Sequence, residues 1–242
     1  MNTNHSHHFL PVRMDNVSYS VQGTTLINQF SLDIHTSDTS IILGHNGSGK
    51  SLLLKLLHGV IHPSTGKITW DDEQPYTNQY WRTLLLQRPT FFNQSIEFNI
   101  EFVLRIAGIA KNEYKQRCEH ALNICGLSHL SKRNTASLSG GELQKVSLAR
   151  AWVLKPSVIL LDEPTVALDP PSVKSFENII EQFEQSGVKV IMTTHDLAQA
   201  RRLAKDIVFI DKGRMIEQSS ANDFFAGPES NQAQSFISGE LL

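Results

Sequence analysis

Residues 44–51 read GHNGSGKS, a match to G-x-x-x-x-G-K-S/T set between a short apolar run and an apolar helical run. No other feature restricts the fold as tightly, because this loop works only where a buried strand hands over to a helix. Gly44, Gly47 and Gly49 allow backbone turns that a Cβ forbids. The N–H groups of the loop then converge at a helix N-terminus, where the dipole also favours an anion. His45, Asn46, Ser48 and Leu52 belong to the same phosphate-binding segment. Lys50 is placed to reach β- and γ-phosphates, and the Ser51 hydroxyl to hold Mg²⁺. The motif specifies a nucleoside triphosphate; by itself it does not specify a family.

The chain around this loop is ordinary in composition. It has 242 residues, 40% hydrophobic and 19% charged, with a net charge of −2. A chain of this length buries a core without disulfides or structural metal. The near-neutral charge argues against a surface built to grip nucleic acid, and no nucleic-acid partner is expected. The start, MNTNHSHHFLPVRM, has no apolar stretch of a secretory leader. The longest apolar runs fall far short of the ~18 residues of a membrane span. Two cysteines, Cys118 and Cys125, are no disulfide framework; they sit seven apart on one helix face and read as core packing, with a metal site beside His120 as the weaker alternative.

Strand patterns are expected at residues 12–21, 30–34, 39–43, 67–70 and 84–86, with a polar loop at 71–80. From about residue 90 to 138 strand runs vanish. Helical periodicity at 96–109 and 112–125 marks an inserted helical subdomain. Strands (158–161, 188–193, 207–210, 214–217) then alternate with helices (141–154, 171–185, 196–204). The expected fold class is therefore α/β, a mainly parallel sheet covered on both faces. Residues 1–11, with His5, His7 and His8, read as a solvated terminus, residues 12–218 as the domain, and residues 219–242 as a short helix and tail.

VILLDEP, residues 158–164, sets two carboxylates directly after a buried strand. Ligands collect at the carboxyl ends of strands in such sheets. Asp162 is a natural Mg²⁺ partner, and Glu163 a natural general base for a water attacking the γ-phosphate. Residues 138–142 read LSGGE and open a helix, with Ser139 able to cap it.

The order of phosphate loop, Gln87, LSGGE, LLDE, VALD and His195, spread over residues 12–217, resembles the ATP-binding cassette (ABC) family. More closely it resembles the nucleotide-binding subunits of transporters. The resemblance implies a P-loop NTPase (RecA-like) core with an antiparallel β subdomain and an inserted helical subdomain. It implies ATP and Mg²⁺ as ligands and ATP hydrolysis as the activity. Tyr19, 25 residues before Gly44, would stack on adenine. Gln87 would contact Mg²⁺ and the attacking water. Ser139, Gly140 and Gly141 would meet the γ-phosphate held by a second subunit, and Asp169 would sit at the subunit boundary. His195 would hold the γ-phosphate and position Glu163. Glu142, Lys145, Val166 and Ser51 depart from the commonest residues of the family pattern, without loss of a catalytic group.

KLLHGVIHPSTGKITW, LLQRPTFFNQSIEFNI, HDLAQARRLAKDIVFIDKGRMIEQ and FISGELL are similar to ATPase subunits of bacterial tungstate (oxyanion) importers. The implied partners are a second copy in a head-to-tail homodimer, permease subunits, and indirectly a solute-binding protein. The implied location is the cytoplasmic face of the membrane. Importers of phosphate or amino acids, and export or lipid-release systems, remain the alternatives. Phe91, Phe92 and Ile96 are expected either to dock a permease helix or to pack inside the helical subdomain.

Overall fold

The computed structural model describes residues 10–70 and 80–239. His5, His7 and His8, nearly all of the expected polar loop, and the last three residues lie outside them. In chain order the strands and helices begin β1 (Val12–Val21), β2 (Thr24–Ile34), β3 (Ser40–Leu43), α1 (Lys50–His58), β4 (Thr65–Trp70) and β5 (Arg82–Leu85). The helices α2 (Ile96–Ile106), α3 (Tyr114–Ile124) and α4 (Gly140–Trp152) follow. Then come β6 (Val158–Asp162), α5 (Pro170–Gln185), β7 (Lys189–Thr194), α6 (Leu197–Leu203), β8 (Asp206–Asp211) and β9 (Arg214–Ser220). Two short helices close the chain, α7 (Ala221–Ala226) and α8 (Asn231–Ser238).

The strands form two sheets. One is antiparallel, in the order β2-β1-β4; the other has six strands in the order β5-β6-β7-β3-β8-β9. All pairings in the larger sheet are parallel except β8 with β9. Its central strands are buried on both faces, which is why they read as unbroken apolar runs. The period of two remains visible in what each side chain touches. Ile41, Leu43, Ile159 and Leu161 face the core under the helices, whereas Ile42, Val158 and Leu160 face the core shared with α1 and the antiparallel sheet.

The turn between β8 and β9 clamps the two sheets together. Asn28 N–H donates to the Gly213 carbonyl at 2.9 Å, and a Cβ on Gly213 would lie 2.2 Å from the Leu26 carbonyl oxygen. With φ at +74° as well, only glycine fits there.

Several boundaries differ from expectation. Helix α2 stops at Ile106, three residues early, because Gly108 turns at φ +69° and the N–H groups of Gly108 and Ile109 close back on the carbonyls of Arg105 and Leu104. A 3-10 turn at Lys111–Glu113 precedes α3. The last segment holds two helices, and Phe224, Ala233 and Phe236 are buried in the main core. Ile96 is fully buried and packs inside the helical subdomain; Phe91 is half-buried against the same core, and Phe92 is 46% exposed, clustered with Phe98 and Phe102. Cys118 and Cys125 are buried free thiols, each pushed up to about 12 chiefly by burial. Among the described residues no group of three or more His, Cys, Asp or Glu side chains could hold a metal ion.

Lys189 is fully buried at the start of β7, donating to Ser40 Oγ and the Asp38 carbonyl. Burial pushes its ammonium down to about 8, against 10.5 in the open chain. The unfolded chain therefore binds more protons between pH 8 and 10.5, and Lys189 makes stability rise with pH across that window. Replacement by Met removes this increment. Urea midpoints of parent and Lys189→Met at pH 8 and pH 10 check it: the parent gains relative to the variant on going up.

Candidate active site

The loop after β3 wraps at the N-terminus of α1. Gly47 (φ +79°) and Gly49 (φ +109°) supply its left-handed turns, and nothing lies within 4 Å of a Cβ built on Gly47. The Lys50 ammonium is 4% exposed and donates to the carbonyls of Gly44 (2.8 Å) and His45 (2.9 Å). It also lies 3.0 Å from Glu163 Oε1. Two buried polar atoms of the loop, Ser48 Oγ and His45 Nε2, have no hydrogen-bond partner. The His45 ring stands edge-on to Phe236 of α8 at 4.7 Å, so the terminal helix buttresses the loop.

β6 delivers the two acids from the neighbouring part of the sheet. Asp162 Oδ1 accepts from the hydroxyls of Ser51 and Thr193, each at 2.9 Å. Glu163 has left the strand at φ +41°, a costly conformation for a side chain of this size. Its N–H donates to Thr193 Oγ1 at 2.9 Å. That bond, and the pairing of Asp162 with Thr193 across the sheet, hold the turn. The result puts the Glu163 carboxylate between two cations or potential cations: Lys50 on Oε1 and His195 Nδ1, at 3.1 Å, on Oε2.

A cavity of about 550 Å³ opens here, lined by Asn46, Gly47, Gly49, Lys50, Ser51, Leu52, Gln87, Glu163, Val166 and His195. Of the remaining residues singled out in the sequence, Gly44 and His45 touch this lining through Lys50 and Asp162 through Ser51, while Ser48 is buried within the loop. Gln87 is exposed at the rim, and its carbonyl accepts from Gln144 Nε2 of α4 at 3.1 Å.

Tyr19, Ser139, Gly140, Gly141 and Asp169 do not line the cavity. Tyr19 is half-buried on β1, against the core shared with α1. Ser139 caps α4 in a reciprocal box: its Oγ accepts from Glu142 N–H, while its own N–H (2.7 Å) and hydroxyl (2.9 Å) donate to Glu142 Oε2. The Ser139 N–H bond, first among the causes, holds the Glu142 carboxyl below the usual carboxylate range. Asp169 caps α5, accepting from Ser172 N–H at 2.8 Å, and hydrogen bonding from Ser172 lowers its pKa. Sequence reasoning missed Thr193 and Gln144. Thr193 left one trace, a polar residue closing an otherwise apolar strand; Gln144 left none.

The donors fit the groups the motifs call for. Ser51 Oγ and Asp162 Oδ1 are hard oxygens at hydrogen-bond distance, the ligand type a small divalent cation takes when phosphate oxygens complete its shell. The open loop with its glycine turns fits a polyphosphate.

Comparison with known proteins agrees with this geometry. The family described as ABC transporter matches residues 27–166. The tungstate uptake system ATP-binding protein TupC of Peptoclostridium acidaminophilum is 32% identical over 217 residues, 89% of this chain and 100% of that one. The phosphate import ATP-binding protein PstB 2 of Natronomonas pharaonis is 30% identical, over 93% of this chain and 86% of that one. Among solved structures, cbiO1 from Clostridium perfringens, part of the ABC transporter complex cbiONQ, superposes with a TM-score of 0.81 at 26% identity. It covers 96% of this chain and 95% of its own. Strand-end acids, phosphate loop and matching relatives lead to one conclusion: the chain belongs to the ABC transporter family, as an ATP-binding subunit that hydrolyses ATP.

Proposed function

We propose that this chain powers an importer of tungstate or a related oxyanion, working as a head-to-tail homodimer with ATP at each interface. The observation that carries the chemistry is the Glu163 carboxylate held between Lys50 at 3.0 Å and His195 at 3.1 Å, next to the Ser51–Asp162 pair. Glu163 is the general base. It takes a proton from the attacking water as the new O–P bond forms at the γ-phosphorus and the bond to ADP breaks. Lys50 exchanges Glu163 for phosphate oxygens, which releases the carboxylate to face the water. His195 orients Glu163 and contacts the γ-phosphate. Mg²⁺, held by Ser51, Asp162 and Gln87, neutralises phosphate charge when bound. Tyr19 carries the adenine.

Ser139, Gly140 and Gly141 stand away from the cavity of their own chain, and a second copy brings them to it. The Glu142 N–H of the first turn of α4 is taken by Ser139 Oγ, whereas those of Gly140 and Gly141 lack intrahelical acceptors and suit a γ-phosphate. Asp169 lies at the same boundary. Permease subunits dock on the helical side, where Phe92, Phe98 and Ile106 are exposed apolar side chains (46%, 36% and 59%). No helix among the described residues is long and apolar enough to cross a membrane. In the proposed reading the chain works as a peripheral subunit, docked on the permease at the cytoplasmic face.

The oxyanion assignment rests on the resemblance to the tungstate relative. Phosphate, also a tetrahedral oxyanion, is the second reading, favoured by the PstB 2 match. The chain reconstituted in vesicles with its permease and solute-binding protein decides: tungstate is expected to stimulate ATP turnover, and Phe92→Ser to lower co-purification with permease more than basal turnover. Stimulation by phosphate or an amino acid, with none by tungstate, contradicts the assignment.

A further inference from the structure

The helix α6 begins two residues after His195, and the loop after Glu163 runs beneath it. Between them lies a side chain the mechanism above does not use. Gln199 is fully buried, as is Glu177 of α5 at 2% exposure. Thr165, two residues beyond Glu163, donates its hydroxyl to Gln199 Oε1 at 3.1 Å. Gln199 Nε2 points at Glu177 Oε1, 3.5 Å away. Arg202, one turn further along α6, pairs with Glu177 through Nε (3.1 Å to Oε2) and Nη2 (2.7 Å to Oε1). The backbone end of Gln199 is fixed as well, its N–H donating to Asp196 Oδ1 at 3.1 Å.

The amide has only one workable orientation. A carboxylate accepts and never donates, so the NH₂ must face Glu177 and the carbonyl must face the Thr165 hydroxyl. Glu177 in turn is tolerable as a buried charge because Arg202 answers it. These contacts close a short ring: Glu163, Pro164, Thr165, the Gln199 amide, α6 back to Asp196, His195, and across 3.1 Å to Glu163 again. The strained φ of Glu163 gives such a ring something to hold, since a left-handed glutamate relaxes if the chain beyond it is free.

We propose that Gln199 is a positioning residue for catalysis: its buried amide, fixed by Glu177, holds the Thr165 loop against α6 and so keeps Glu163 and His195 at working distance. The proposal rests on the reading of Glu163 as base. Gln199 is fully buried and does not line the cavity beside the phosphate loop. Its removal therefore affects the chemical step and leaves ATP binding by the phosphate loop alone.

Steady-state phosphate release tests it, on the full chain, per ATP-binding site. Gln199→Leu keeps the shape and loses the amide. The expected result is kcat lower by about tenfold with KM for ATP within about twofold of the parent. Thr165→Val falls in the same direction and carries the test if the leucine variant does not fold. The double variant is no worse than the more impaired single, because both break one contact. Gln199→Glu sets a second carboxylate beside buried Glu177 and loses turnover; the exchange Gln199→Glu with Glu177→Gln restores at least half of it. Parent kcat in Gln199→Leu or Thr165→Val, a KM rise matching the kcat loss, or no recovery in the exchange overturns the proposal. Glu163→Gln run alongside separates the two levels. If Glu163→Gln is inactive while Gln199→Leu matches the parent, only the positioning role fails. If Glu163→Gln keeps parent turnover, the base reading fails and takes the proposal with it.

Discussion

Glu163→Gln lowers turnover at saturating Mg·ATP by about 10²–10⁴-fold and leaves ATP binding intact. The amide keeps the size and shape of the side chain, and the bond to Thr193 is made by the backbone N–H of residue 163, so the turn at φ +41° survives. What it loses is the ability to accept a proton. In the proposed mechanism, ATP binding, cation coordination by Ser51 and Asp162, and closure of the dimer do not depend on that. Lys50→Ala behaves differently. Lys50 holds the loop through the carbonyls of Gly44 and His45 and is the cation nearest Glu163, so its loss weakens binding along with turnover. Phosphate release combined with equilibrium binding of ATP separates the two variants. Turnover near the parent rate in Glu163→Gln assigns proton transfer to another route, a water held by Gln87 and His195 with the phosphate as acceptor.

The second large effect is expected from the helix α4 entry, and the structure selects the residue to change. A Cβ on Gly141 meets Ser172 Oγ at 2.4 Å and Ser172 Cβ at 2.8 Å, so any substitution there disturbs the start of α5 in the chain's own fold. A Cβ on Gly140 meets nothing nearer than Leu168 Cδ2 at 3.9 Å, an ordinary contact, and its φ is not left-handed. Gly140→Asp is thus tolerated by its own chain while placing a carboxylate where a partner's γ-phosphate arrives. Turnover falls by at least about 10²-fold, the scale on which loss of one phosphate-stabilising contact is felt. ATP binding to the monomer and the thermal midpoint stay near the parent values. A parent-like rate, or a loss of monomer binding as large as the loss of rate, argues against a site shared between subunits.

What could be read in advance follows from the range of the interactions. The strand at residues 12–21 coincides with β1 because alternation is local. The phosphate loop could be placed because strand, glycines and lysine are contiguous. Asp162 and Glu163 could be placed because a strand end is a fixed location in this class of sheet. Gln144, Thr193 and Gln199 could not, because each acts across elements whose register is set only on folding: Gln144 on Gln87, Thr193 on Asp162, Gln199 on Thr165. The buried ammonium of Lys189 is of the same kind: the strand expected at 188–193 contains it without marking it as buried, and its neighbours Ser40 and Asp206 lie on β3 and β8. The second C-terminal helix was in principle legible. Ser230 caps it, and Ala233 and Phe236 repeat at helical spacing, but it is too short for periodicity alone to separate it from a tail.

The central claim is that a complete site needs two copies of this chain. The most direct test is the mass of Glu163→Gln in solution with saturating Mg·ATP, by light scattering on a sizing column. The account predicts twice the 27.1 kDa of one chain with ATP, one chain's mass with ADP, and one chain's mass with ATP once Gly140→Asp is added. A mass of 27.1 kDa for Glu163→Gln under ATP, or a dimer indifferent to Gly140→Asp, contradicts it.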